Sequence, residues 1–124
     1  MSEIAIDWEA LRAAALAAMP SAYAPYSEYK VGCAALVDDG RIVVGVNVEN
    51  MSYGLTMCAE CTMAGALHVS GGGRLVAFTC VNVREEIITP CGRCRQVLFE
   101  HGGGDLLLET PEGVWSMAQM MPQP

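Results

Sequence analysis

The chain is short of positive charge. Seven Lys and Arg stand against fourteen Asp and Glu, a formal net charge of −7 over 124 residues, whereas tracking a phosphate backbone takes a basic stripe. That argues against a nucleic acid polymer as partner and favours a small free molecule. Long apolar runs are missing too: none approaches the roughly 20 residues that span a bilayer, so no membrane partner is expected. The start, Met1-Ser2-Glu3-Ile4, has neither the basic region nor the continuous apolar stretch of an export signal, which points to a cytoplasmic protein. Histidine is scarce, with two residues in all. His68 and His101 both fall in the last turn of an expected helix, where the dipole favours a cation, and so read as capping or surface residues and not as ligands. Cysteine is not scarce. Six are present, and their paired Cys-x-x-Cys spacing without an export signal reads as metal chemistry in a reducing compartment, not as a disulfide scaffold.

At this length, with 52% hydrophobic and 17% charged residues, residues 1-124 are expected to form a single domain with a real core. Asp7 is placed to cap a helix over Trp8 to Met19, which Pro20 stops. Lys30 to Val37 and Arg41 to Val46 read as strands joined at Asp38-Asp39-Gly40. Asn47 to Thr56 is a polar loop. Helices follow over Glu60 to His68 and Arg93 to His101, each ended by three glycines. Strands are expected over Leu75 to Val81, about Glu86 to Thr89, and Asp105 to Glu109, with Ser116 capping a short last helix through Met120. The order predicts an α/β fold, a three-layer α/β/α sandwich with helices on both sides of one mixed sheet. Cys33 and Cys80 sit in apolar strands as buried small hydrophobes. The glycine runs lack the lysine context of a phosphate cradle.

The chemistry gathers at Cys58-Ala59-Glu60 and Pro90-Cys91-Gly92-Arg93-Cys94. Thiolates at Cys58, Cys91 and Cys94 can fill three of the four tetrahedral positions around zinc, one ion per chain, and leave the fourth to water. Zinc lowers the pKa of that water from about 15.7 toward about 7. Glu60, two residues from a ligand, is the candidate catalytic proton shuttle. Both motifs fall at helix N-termini, where unpaired N–H groups stabilise thiolates. A rival stands in the same letters: Cys58-x-x-Cys61 with Cys91-x-x-Cys94 also fits a closed four-cysteine zinc site in a binding module without catalysis. Asn47 and Glu49 alternate on an extended segment and share a side, and an amide beside a carboxylate suits a sugar hydroxyl. Polar surface is the plainer reading of that pair.

Val46-Asn47-Val48-Glu49-Asn50-Met51-Ser52-Tyr53-Gly54-Leu55, then Cys58-Ala59-Glu60, then Pro90-Cys91-Gly92-Arg93-Cys94-Arg95-Gln96-Val97-Leu98 together resemble the small, tetrameric cytidine deaminases. The likeness runs from roughly Tyr23 to Pro122, and the metal motif matches the zinc deaminase signature. The resemblance implies a cytidine deaminase-like fold and hydrolytic deamination of cytidine and 2′-deoxycytidine, with release of ammonia, in pyrimidine salvage. It also implies a homotetramer with active sites shared at subunit boundaries. Residue by residue, it gives Asn47 and Glu49 to ribose, sets Tyr53 at the ribose border, and lets backbone groups of Ala59 and the segment near Thr89-Pro90 hold the amino group and ring edge. Tyr29 stands where relatives usually carry a phenylalanine that stacks on the pyrimidine; a tyrosine stacks as well, but its hydroxyl needs a partner. Cys61 replaces an arginine that relatives place beside the thiolates, which leaves Arg93 and Arg95 as candidates to balance their charge. The last residues, Met120 to Pro124, stop short of an aromatic with which relatives close a neighbouring site. The block around Pro90 also resembles blasticidin deaminase, so a modified cytosine nucleoside is the alternative substrate.

Overall fold

Residues 5–124 are described by a computed structural model. The Asp7 side chain accepts from the Ala10 N–H at 3.0 Å and opens α1, Trp8–Ala18, as a good N-cap does. Pro20 sits inside the 3₁₀ turn Met19–Ser21, and the backbone is extended by Ala22, because a proline cannot continue the helical ladder. The buried side of α1, Leu11 and Ala15, lies with Met19 against Ala34, Leu36, Ala77 and Val81.

Those last four residues belong to β1, Val31–Val37, and β3, Leu75–Asn82. They form one mixed five-stranded sheet with β2 (Ile42–Val46), β4 (Leu107–Thr110) and β5 (Gly113–Ser116), in the order β2-β1-β3-β4-β5. Only the β3–β4 pair is parallel; the other three pairs are antiparallel. β3 is buried along nearly its whole length, as its apolar run predicts for a strand covered on both faces. On the face opposite α1 lie α2 (Ala59–Val69), α3 (Gly92–Gly102) and the short α4 (Met117–Met120). Their Met63, Leu67, Leu98 and Met117 close over Cys33, Ala35, Phe78, Cys80 and Leu108. Full burial of one such large side chain is worth about 1.5–3 kcal/mol, and an exposed ion pair such as Arg84–Glu86 about 0–1. The helix positions are therefore set by packing.

Two glycines permit that packing. A side chain at Gly32 would collide with the Ala15 carbonyl and with Met19 of the α1 segment; one at Gly45 would strike the Ala59 carbonyl and the Met63 backbone of α2. Neighbouring strands thus admit a helix on each face. Gly45 in particular decides how closely the start of α2 sits on the sheet.

Two departures from the sequence expectation have local causes. The extended piece about Glu86 to Thr89 makes one isolated bridge, Val81 to Ile87, and no strand. The Asn82 side-chain oxygen accepts from the Arg84 and Glu86 N–H groups and Glu85 takes a positive φ of 63°, so a tight turn folds the chain back on the end of β3. Pro90, without an N–H, follows within a few residues. Conversely, the residues after the Thr110-to-Gly113 turn form β5, an edge strand whose Val114 and Trp115 are exposed; without apolar alternation it left little trace in the sequence. Ser116 then caps α4 in a full capping box with Gln119. Among the described residues no helix is long and apolar enough to cross a membrane.

Candidate metal centre and active site

Cys58 is the N-cap of α2 and Cys91 the N-cap of α3, with Cys94 in the first turn of α3. The two helices pack against each other on one face of the sheet, and their starting ends carry three sulfur atoms that all lie within 4.8 Å of one another. Each junction is braced. The Thr62 hydroxyl lies 2.8 Å from the Val46 carbonyl and accepts from the Val46 N–H at 2.9 Å, tying the first turn of α2 to the end of β2. Arg95 Nε donates to the Pro90 carbonyl at 3.0 Å and fixes the entry to α3. Thr62 carried no signal in the sequence beyond standing one turn into the motif helix.

Glu60 occupies the first turn of α2 and is 4% exposed. Burial pushes its pKa above the ordinary carboxylate value. Burial likewise pushes the Cys58 and Cys94 thiols up, with the nearby Glu60 charge adding to the effect. At Cys91 the same desolvation is outweighed by hydrogen bonds from Cys94 and from the Arg93 N–H, and its pKa falls. The buried Cys94 and Glu60 and the half-buried Cys58 resist ionising unless a cation joins them, while the exposed Cys91 gives up its proton more readily. That donor set suits zinc, which takes thiolates at about 2.3 Å in a tetrahedron. Cys61 stands outside the convergent group; its sulfur instead lies 3.9 Å from the Arg93 guanidinium. Three sulfurs, not four, face one another. Of the two arginines considered for charge balance, Arg93 is the one at Cys61, while Arg95 spends its Nε on the backbone.

The remaining expected site residues fall into three groups. Ala59 opens α2 and is buried at 1% exposure beside Cys58. Asn47, Glu49 and Tyr29 meet in one network. Asn47 accepts from the Val31 N–H and donates to the Tyr29 carbonyl, both at 2.9 Å. Glu49 accepts from the N–H groups of Tyr26 and Ser27 at 3.0 and 3.2 Å and from the Ser27 hydroxyl. Asn47 and Glu49 do turn toward a common segment, and that segment is residues 26–31. Tyr29, half-exposed, is held at three points: its N–H donates to Ser27 Oγ, its carbonyl takes Asn47, and its hydroxyl accepts from Asn82 Nδ2 at 3.2 Å. Asn82, 1% exposed, is the partner the tyrosine hydroxyl required; a polar residue closing an apolar strand was its only mark in the sequence. Tyr53, by contrast, is 93% exposed on the 3₁₀ turn Tyr53–Leu55 and lies open to solvent within this chain.

Residues 6–109 match the family model described as the cytidine and deoxycytidylate deaminase zinc-binding region. A cytidine deaminase of Mycobacterium tuberculosis is 55% identical over 117 residues, 94% of this chain and 88% of its own. The fold agrees as well: the crystal structure of cytidine deaminase from Mycobacterium leprae superposes with a TM-score of 0.95 at 55% identity, covering 96% of this chain and all of its own. That from Burkholderia pseudomallei gives 0.85 at 39% identity, over 95% and 98%. With three thiols converging at two helix ends beside a buried glutamate, and a family model that spans most of the sequence, the chain belongs to the cytidine and deoxycytidylate deaminase family.

Proposed function

We propose that this protein is a zinc-dependent cytidine deaminase, converting cytidine and 2′-deoxycytidine to the uridine products with release of ammonia. The observation that carries the reading is the convergence of Cys58, Cys91 and Cys94 with Glu60 buried two residues from the first of them. Zinc, when bound by the three sulfurs, supplies a water made nucleophilic at neutral pH. The chain's own residues do the rest. Glu60 takes a proton from the attacking water as the C4–O bond forms and delivers it to N3; it then takes the remaining hydroxyl proton and passes it to the amino group, the C4–N bond breaks and ammonia leaves. A carboxyl group whose pKa is raised by burial suits a carrier that must hold a proton between transfers.

Ala59 and the Thr89-Pro90 segment are given the amino group and ring edge, Tyr29 the face of the base, and Asn47 with Glu49 the ribose. Support for this assignment comes from the network that binds Asn47, Glu49 and Tyr29 to one segment, so that base and sugar contacts are fixed together. Tyr53 borders the ribose, and a homotetramer with shared sites accounts for the exposure of Met51, Tyr53 and Leu55 on one short loop. The protein then works in the cytoplasm, in pyrimidine salvage. Glu60→Gln tests the central claim: zinc content and fold are retained while kcat on cytidine falls by several orders of magnitude. Turnover near that of the wild type would rule out Glu60 as the proton carrier.

A further inference from the structure

The two histidines are at the opposite ends of the helices that carry the thiols. His68 lies in the last turn of α2 and His101 in the last turn of α3, about 15 Å along α2 from Cys58 at 1.5 Å per residue. Their Nε2 atoms stand 3.0 Å apart, with the rings edge to face. His101 Nδ1 faces the Val97 carbonyl at 2.9 Å. A carbonyl only accepts, so the proton sits on Nδ1, and in the neutral ring Nε2 of His101 then presents a lone pair.

This is how proteins prepare a histidine to bind metal: a backbone carbonyl holds the proton of one ring nitrogen, fixing the tautomer and orientation of the other. Two imidazole nitrogens at about 2.0–2.1 Å from one ion lie about 3 Å apart when they meet it near a right angle. The spacing observed is that bite. Two helix C-termini also bring their negative ends to the same place, which favours a cation.

We propose that His68 and His101 form a second divalent-cation site, a two-histidine chelate for a transition ion that accepts ligands near a right angle, such as Ni²⁺, with water completing the coordination at this surface pair. The ion staples the far ends of α2 and α3, the helices whose near ends present Cys58, Cys91 and Cys94. Without it the same pair makes one neutral hydrogen bond, His68 Nε2–H donating to His101.

The test titrates the zinc-loaded, full-length protein with Ni²⁺ by calorimetry, follows zinc release by atomic absorption, and measures Tm with and without Ni²⁺. The expected result is one Ni²⁺ per chain with the thiol-bound zinc retained, and a Ni²⁺-dependent rise in Tm. His68→Ala and His101→Ala each weaken Ni²⁺ binding roughly tenfold or more and abolish that rise, while zinc content and cytidine turnover stay at wild-type levels. Ni²⁺ uptake matched by zinc release, no uptake at all, or uptake that persists in the double variant overturns the proposal. None of these readouts depends on which nucleoside the enzyme prefers.

Discussion

The thiol centre and the loop around Tyr53 are built in different ways. Cys94 and Glu60 are 1% and 4% exposed, set on helix starts that pack on a sheet and are braced by Thr62 and Arg95. Met51, Tyr53 and Leu55 are 85%, 93% and 65% exposed on a short loop that includes the 3₁₀ turn Tyr53–Leu55. Bond-making chemistry needs groups held to within about 0.5 Å, and helices and strands provide that more precisely than loops. A surface that is to be completed by another copy has no such need within a single chain. The difference teaches that this chain braces the convergent thiols and Glu60 on helix starts and leaves the loop around Tyr53 open to solvent.

The strongest way to break this comparison is at the sulfurs. Cys94→Ser should lose zinc and reduce kcat/KM by about a thousandfold or more, about 4 kcal/mol of transition-state stabilisation. Cys61→Ser should keep its zinc and stay within about tenfold of wild type, because its sulfur lies with Arg93 and outside the convergent three. Metal analysis of both variants decides the matter. If Cys61→Ser loses zinc as completely as Cys94→Ser, the centre is a closed four-sulfur site and its catalytic reading fails.

Next in size comes the exposed loop. Tyr53→Ser removes a side chain that buries almost nothing in this chain, so the stability of the isolated fold should change by no more than about 0.5 kcal/mol. If a second copy covers the loop, KM for cytidine should rise roughly tenfold and sedimentation should show weaker assembly. Unchanged KM and unchanged assembly would show that the loop is finished as it stands, and the contrast with the thiol centre would vanish.

How much of this was legible in advance follows the same division. The metal motif, the two helices it opens and the central strand could be read because ligand spacing, helix caps and a buried apolar run are local properties of the chain. Gly45 was not legible as the contact that seats α2, since a close approach between elements leaves no mark on either one. Thr62 and Asn82 were missed for the same reason: each is an ordinary polar residue whose partners lie 16 and 53 positions away. The turn after β3 took the place of the strand expected about Glu86 to Thr89, and β5 lacked the alternation by which edge strands are found. What the sequence withheld was the pairing of distant polar groups.

Asn82 allows the comparison to be sharpened between these extremes, since it joins a buried strand end to the half-exposed Tyr29 ring. Tyr29→Phe removes one partner from Asn82 Nδ2 and leaves Glu86 as the other, a loss of about 1 kcal/mol. Asn82→Ala should cost more, because the Arg84 and Glu86 N–H groups lose their acceptor too. In a double-mutant cycle the pair should couple by roughly 0.5–1.5 kcal/mol, with KM for cytidine rising several-fold and kcat nearly constant. Strict additivity would mean that the hydroxyl contact does not position the ring.

The smallest expected effect concerns Glu49. Its carboxylate is held below the ordinary glutamate pKa chiefly by the Ser27 hydroxyl, against some desolvation, with the N–H groups of Ser27 and Tyr26 assisting. A depressed folded-state pKa means that the clasp contributes fully above the unfolded value of about 4.3 and is lost as pH falls through the lower folded value. Amide exchange at Tyr26 and Ser27 should therefore quicken on acidification below about pH 4, relative to a Glu49→Gln variant whose exchange, already faster at neutral pH, lacks that titration. The clasp ties only one half-buried surface side chain to residues 26–31, so global Tm should barely follow. If both proteins show the same acid profile at these two amides, residues 26–31 are held by something other than this carboxylate, and that segment is more like the buried thiol centre than its exposure suggests.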